Sequence, residues 1–291
     1  MAKHEMAKNE SRTILVTGAT GHQGGAALRH LRGKGFPVRA LTRDPEKPAA
    51  KALAGHGIDI VAGDLSDPAS ITRTLDDVYG VYSVQNWQAD GIEAEIKQGF
   101  NVADAANKAT VSHLVYSSVG GADKNTGIPH FDSKFRIEEH IRGTGVPYTI
   151  LRPVFFMENW LGMKQTIEQG ILALPLNPDT RLQMIAVDDI GAFVTLAFEH
   201  SGKWQGRAVD IAGDDLSIAE VAQAMGRFSG REVKYQQIPW EQFEKQAGHE
   251  TTVMYKWFQD VGYHADIAAL EHDHSRLTKF DLWLGSHWRQ P

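Results

Sequence analysis

Short apolar runs recur through the first half of the chain, each followed by a longer stretch with helical spacing. Thr13–Thr17 (TILVT), Val38–Thr42 (VRALT), Ile58–Ala62 (IDIVA), Val78–Val84 (VYGVYSV), His113–Ser117 (HLVYS) and Pro147–Leu151 (PYTIL) read as six strands. Between them the spacing predicts helices over 24–34, 48–55, 67–75, 92–108 and 133–142. Continuously apolar strands separated by helices imply a parallel sheet covered on both faces. Right-handed crossovers then give a Rossmann-type, doubly wound α/β sheet, which binds ligands beyond the carboxyl ends of its strands.

After Pro153 the alternation becomes irregular. Helices are predicted over 187–200, 217–228, 240–246, 251–260 and 277–288, with a short strand over 208–211. The organisation expected is a flexible tail (1–12), then a nucleotide-binding domain over 13–153 to which 187–212 returns. Residues 154–186 and 213–291 form a smaller α/β lobe that closes over the ligand face.

Composition narrows the class. With 42% hydrophobic and 23% charged residues the 291-residue chain is neither disordered nor fibrous. Its net charge of −6 and lack of charge blocks argue against a nucleic-acid surface. The chain has no cysteine, which removes disulfides, thiolate metal sites and thiol nucleophiles. No run is long and apolar enough for a membrane span, and 1–12 lacks a signal-peptide core, so a cytoplasmic location is expected.

The first strand runs into Gly18-Ala19-Thr20-Gly21-His22-Gln23-Gly24, with glycine at positions 1, 4 and 7. Such a loop opening a helix lets backbone amides and the helix dipole meet a pyrophosphate, so Gly18, Thr20, Gly21, His22, Gln23 and Gly24 are assigned to cofactor binding. An acidic residue at the end of the second strand would hold a ribose 2′-hydroxyl. Here Arg43 stands there, with Lys47 four residues on, which suits a 2′-phosphate and favours NADP(H) over NAD(H), the alternative being a solvated basic turn. The other strand ends supply Asp64 and Leu65, Gln85 and Asn86, Ser117, and Pro153, Phe155 and Phe156 as further contacts, with Trp87, Phe155 and Phe156 either flanking the pocket or belonging to the core.

The glycine loop, Gly63-Asp64-Leu65, Ser117-Ser118, Gly21–Gly25 (GHQGG), Glu95–Gly99 (EIKQG), His130–Lys134 (HFDSK) and Met157–Leu161 (MENWL) resemble the NmrA-like family of atypical short-chain dehydrogenases, closest to NADPH sensors of the HSCARG type. The resemblance runs from Thr13 nearly to Trp288. It implies a Rossmann-type NADP-binding domain, a small lobe over the nicotinamide, and Pro153–Phe156 near that ring. It also implies relatives that include redox-sensing regulators and reductases of quinones and dyes.

Typical short-chain dehydrogenases use Tyr-x-x-x-Lys, in which the tyrosine is the acid–base and the lysine binds ribose. This chain has His130 at the tyrosine position and Lys134 at i+4, and these two are the catalytic candidates. A neighbouring ammonium pushes the imidazole toward its neutral form, so the usual alcohol chemistry is disfavoured. Two readings follow. The first is a nucleotide sensor without turnover, read out by a protein partner. The second is an NADPH-dependent reductase of quinones or related conjugated acceptors. A homodimer stays open. Asp188-Asp189 is expected to cap a helix, and Glu271–His274 to be a solvated loop rather than a metal site.

Overall fold

A computed structural model describes residues 9–288. The α-helices of seven or more residues are numbered. The order is β1 (Ile14–Val16), α1 (His22–Gly33), β2 (Val38–Thr42), α2 (Pro48–Gly55), β3 (Asp59–Ala62), α3 (Pro68–Thr74), β4 (Gly80–Ser83), α4 (Ile92–Lys108), β5 (His113–Ser117), α5 (Pro129–Thr144) and β6 (Tyr148–Pro153). There follow β7 (Phe155–Phe156), β8 (Ile171–Leu174), β9 (Arg181–Ile185), α6 (Val187–Glu199), β10 (Arg207–Ile211), β11 (Asp214–Ser217), α7 (Ile218–Ser229), β12 (Lys234–Gln237), α8 (Trp240–Ala247), α9 (His249–Asp260), α10 (Ile267–Asp273) and α11 (Phe280–His287).

Seven parallel strands form the main sheet in the order β10-β6-β5-β4-β1-β2-β3. β1 lies between β2 and β4, with Ile14 opposite both Val38 and Gly80. The chain leaves β1 where the order reverses, and a crevice opens there in doubly wound sheets. β1 is wholly buried because its side chains alternate between two cores. Leu15 packs in the one walled by α3, α4 and α5, whereas Ile14 and Val16 join the core of α1 and α6. This second core runs on without a break into the smaller lobe, which includes Trp160, Phe258 and Trp283.

Several expectations change on contact with the structure. Residues 1–8 of the expected tail lie outside the described residues. Residues 9–12 are anchored, since Asn9 and Arg12 are buried. The Arg12 guanidinium lies 4.0 Å from the Tyr79 ring centroid and donates to the Phe198 carbonyl at 2.6 Å. Helix α5 begins at Pro129 rather than Ser133, because proline suits a first helical position, so His130 and Lys134 share one helix. Neither aspartate at 188–189 caps α6; the cap position is Ala186 and the Val187 amide donates to both Glu158 oxygens at 3.1 Å. Asp188 instead pairs with His30 and Arg29, and Asp189 accepts from the Thr278 amide. Glu271–Asp273 ends α10 rather than lying in a loop; its acids pair with Lys279 and Lys203. The lobe also contains strands that the pattern did not predict, β11-β9-β7 and β12-β8. Among the described residues no helix is long and apolar enough to cross a membrane.

Candidate functional site

A cleft of about 1260 Å³ runs along the carboxyl ends of the strands and under the lobe. Its floor starts at the glycine loop. Gly18 adopts φ +60°, which bends the chain sharply out of β1. A Cβ on Gly24 would lie 2.1 Å from the Gly18 carbonyl oxygen, so only glycine lets α1 start this close to the strand. The cap residue Gly21 offers no side chain to the first turn. The amides of His22, Gln23 and Gly24 have no carbonyl one turn back, so they face the cleft as donors at the positive end of a 12-residue helix.

At the far end of β2, Arg43 is 62% exposed and stands 3.5 Å from Asp90, a surface pair that leaves its guanidinium available to a ligand. Lys47 is exposed at the N-cap of α2. Asp64 folds back on itself, its Oδ1 accepting from the Ser66 amide at 2.8 Å, while Asn101 holds the Leu65 carbonyl. Gln85 is a lining residue of the cleft; its Nε2 donates to Ser83 and its buried Oε1 has no partner. Asn86 caps the single turn Trp87–Asp90 by accepting from the Gln88 amide. Pro153, Phe155 and Phe156 line the opposite wall, and Phe155 also packs on Trp160 with ring centroids 5.1 Å apart.

Every expected site residue borders this cleft except Ser117. Side chains alternate along β5, so Ser117 shares Val115's face, toward α1, while Tyr116 faces α4 and α5. Ser117 Oγ donates to Gln23 Oε1 at 2.6 Å and is 1% exposed, so it holds the glycine loop rather than facing His130. Its neighbour Ser118 reaches the cleft and donates to Glu138 Oε1 at 2.6 Å. Trp87 is a pocket residue: it stacks on His130 with centroids 4.8 Å apart and planes 16° apart.

Two carboxylates had not been assigned roles from the sequence. Glu95 on α4 is fully buried and accepts from Lys134 Nζ at 2.8 Å and Ser133 Oγ at 2.6 Å. It lies on the buried face of α4 with Ile96 and Gly99, so a lone acid on an apolar stripe was the available signal. Glu250 on α9 lies 2.6 Å from His130 Nδ1 and ties α9 to α5 beside the main sheet. It stands 120 residues from His130, and local sequence gives no hint of it. Burial lowers the His130 pKa, and Lys134 acts in the same direction against the opposing pull of Glu250.

The arrangement thus offers amide donors beside two exposed cations, Arg43 and Lys47, at one end. At the other end it offers an aromatic chamber built from both lobes, with Trp87, Phe156, Met163, Met254 and Tyr255 on its walls.

The sequence matches the NmrA-like family over residues 10–284. An NmrA-like family domain-containing protein of Dictyostelium discoideum is 29% identical over 296 residues, spanning 94% of this chain and 97% of the relative. An NAD(P)H azoreductase of Xenophilus azovorans is 32% identical over 231 residues, spanning 79% of this chain and 78% of its own. Among solved structures, Citrobacter triphenylmethane reductase complexed with NADP(H) superposes with a TM-score of 0.82 at 23% identity, covering 94% of this chain and 99% of that one. The negative transcriptional regulator NmrA, solved with NADP, has a TM-score of 0.80 at 22% identity, covering 96% of each chain. At such identities the structural likeness speaks for the fold. The match over residues 10–284 carries the assignment: the chain belongs to the NmrA-like family.

Proposed function

We propose that this chain binds NADP(H) in the cleft and reduces flat conjugated acceptors of the quinone and dye class. The observation that carries the reading is a cleft of about 1260 Å³, larger than the roughly 300–1,000 Å³ of pockets for one small ligand. It has room for a nucleotide and a second molecule against aromatic walls. The azoreductase relative supports the same chemistry.

The residues fit the nucleotide. Amides at the start of α1 suit a pyrophosphate, Arg43 and Lys47 a 2′-phosphate, and the unpartnered Gln85 Oε1 a hydroxyl or amide donor. Lys134 keeps donors beyond the one given to Glu95 and is assigned to the ribose. Pro153, Phe155 and Phe156 wall the nicotinamide end, and Asp64, Leu65 and Asn86 border the remainder. Ser117 contributes by fixing Gln23. When bound, the cofactor supplies a hydride. The protein's part is to align acceptor and ring, exclude water and manage one proton.

A second reading, a nucleotide sensor of the HSCARG type, draws on the His130–Glu250 contact. Through it, nucleotide at the α5 end of the cleft would bear on the position of the lobe. The readings separate by measuring NADPH binding and NADPH oxidation on the same preparation. Turnover on quinones or azo dyes supports the reductase. Tight binding with no turnover, and altered hydrogen exchange in α9, supports the sensor.

A further inference from the structure

Adding hydride to a conjugated carbonyl leaves an oxyanion that needs one proton. The phenol that would supply it in a tyrosine–lysine site is replaced by His130. The ring is held on three sides. Nδ1 meets Glu250 Oε1 at 2.6 Å, Trp87 stacks on one face, and Phe131 stands edge-on with centroids 5.0 Å apart. An ionised carboxylate only accepts, so Nδ1 carries the hydrogen in this pair. Nε2 is then the nitrogen left to the cleft, and among the described residues no side chain or backbone group bonds it.

We propose that Glu250 is a positioning residue that makes His130 the proton donor. By accepting the Nδ1 hydrogen it stabilises the imidazolium whose Nε2–H passes to the acceptor's oxygen. The inference rests on the reductase reading. NADPH is oxidised as its hydride forms a bond to the acceptor, the acceptor oxygen takes the Nε2 proton, and neutral His130 is reprotonated by water at the cleft mouth. The charged groups facing His130 are Glu250 from α9, Lys134 one turn along α5, and Glu95 from α4, itself paired with Lys134. Burial and Lys134 oppose the imidazolium, and Glu250 is the largest influence in its favour. Glu250 therefore sets the pH at which the donor is lost.

The test compares wild type with Glu250→Gln and Glu250→Asp. It uses NADPH with a water-soluble benzoquinone over pH 5–9, and pairs rates with NADPH affinity and an NMR titration of the His130 ring. Glu250→Gln keeps an oxygen acceptor for Nδ1–H but removes the charge. It is expected to move both the ring titration and the alkaline fall of kcat to lower pH by about one unit, giving roughly tenfold lower kcat at pH 7. NADPH affinity should stay within about twofold, and Glu250→Asp should restore most of the wild-type profile. A rate that drops equally at every pH, or an affinity loss that accounts for the drop, overturns the inference. An active wild type with an unmoved titration in Glu250→Gln sinks it alone. A wild type that binds NADPH but reduces no acceptor sinks the reductase reading and this inference together.

Discussion

The Lys134 ammonium lies 2.8 Å from Oε1 of Glu95, a carboxylate with no exposed surface, and Ser133 binds the second oxygen of the same group at 2.6 Å. One acid on α4 thus fixes two consecutive residues of α5, and with them the helix that carries His130. Removing one partner leaves an uncompensated buried charge, which costs about 3–5 kcal/mol. Lys134→Ala should therefore lower stability in urea by that order as well as weaken NADPH. Lys134→Met combined with Glu95→Gln should recover most of the stability but not the affinity. Equal stability of the single and double variants would mean that the pair is not what holds α5.

Gly24→Ala places a methyl group where the Gly18 carbonyl already stands. Helix α1 must then move off β1, with an overpacking cost of about 1–3 kcal/mol. Nucleotide affinity should fall further than the stability loss explains, because the same amides are displaced. Calorimetric titration and thermal unfolding on one sample would separate the two effects.

Arg43 and Asp90 stand 3.5 Å apart at the surface. Arg43→Glu should reverse the preference for NADPH over NADH. Asp90→Asn, by removing the competing carboxylate, should tighten NADPH by no more than about fivefold, the worth of an exposed pair. An unchanged NADPH/NADH ratio in Arg43→Glu would place the 2′-phosphate elsewhere.

His113 sits fully buried at the start of β5 with its pKa lowered from 6.5 to about 4, by burial and then by the Arg12 charge. Thr149 Oγ1 donates to the Trp204 carbonyl, so His113 Nε2 donates to Thr149 and its Nδ1 is left without a partner. Above pH 6.5 the ring is neutral in both folded and unfolded chains. As pH falls toward 4 only the unfolded chain takes up the proton, so stability drops across that window by about 3 kcal/mol. His113→Gln should flatten this part of the stability–pH curve. A slope unchanged by the substitution would assign the acid sensitivity to other groups.

The middle of the sheet was legible because β1, β4 and β5 are buried on both faces and read as largely apolar runs, as Leu15 between Ile14 and Val16 illustrates. The glycine loop was legible because the fold leaves few alternatives at the end of β1. The lobe strands were not. Asp214–Ser217 (DDLS) has little β preference and pairs only because β9 lies beside it. Ser117 was expected at the cleft because it ends β5, but position along a strand does not say which face each serine occupies, and Ser117 turns to Gln23. Glu250 was invisible because the contact that gives it a role crosses from one lobe to the other.

NADPH oxidation over a panel of quinones, conjugated enones and azo and triphenylmethane dyes tests the reductase function. Wild type is run beside His130→Ala and Lys134→Ala, each first shown to bind NADPH. Steady wild-type turnover is expected on at least one acceptor class, with a clear fall in His130→Ala at unchanged cofactor saturation. Saturating NADPH with no oxidation on any acceptor would contradict the reductase function and leave the sensor reading standing.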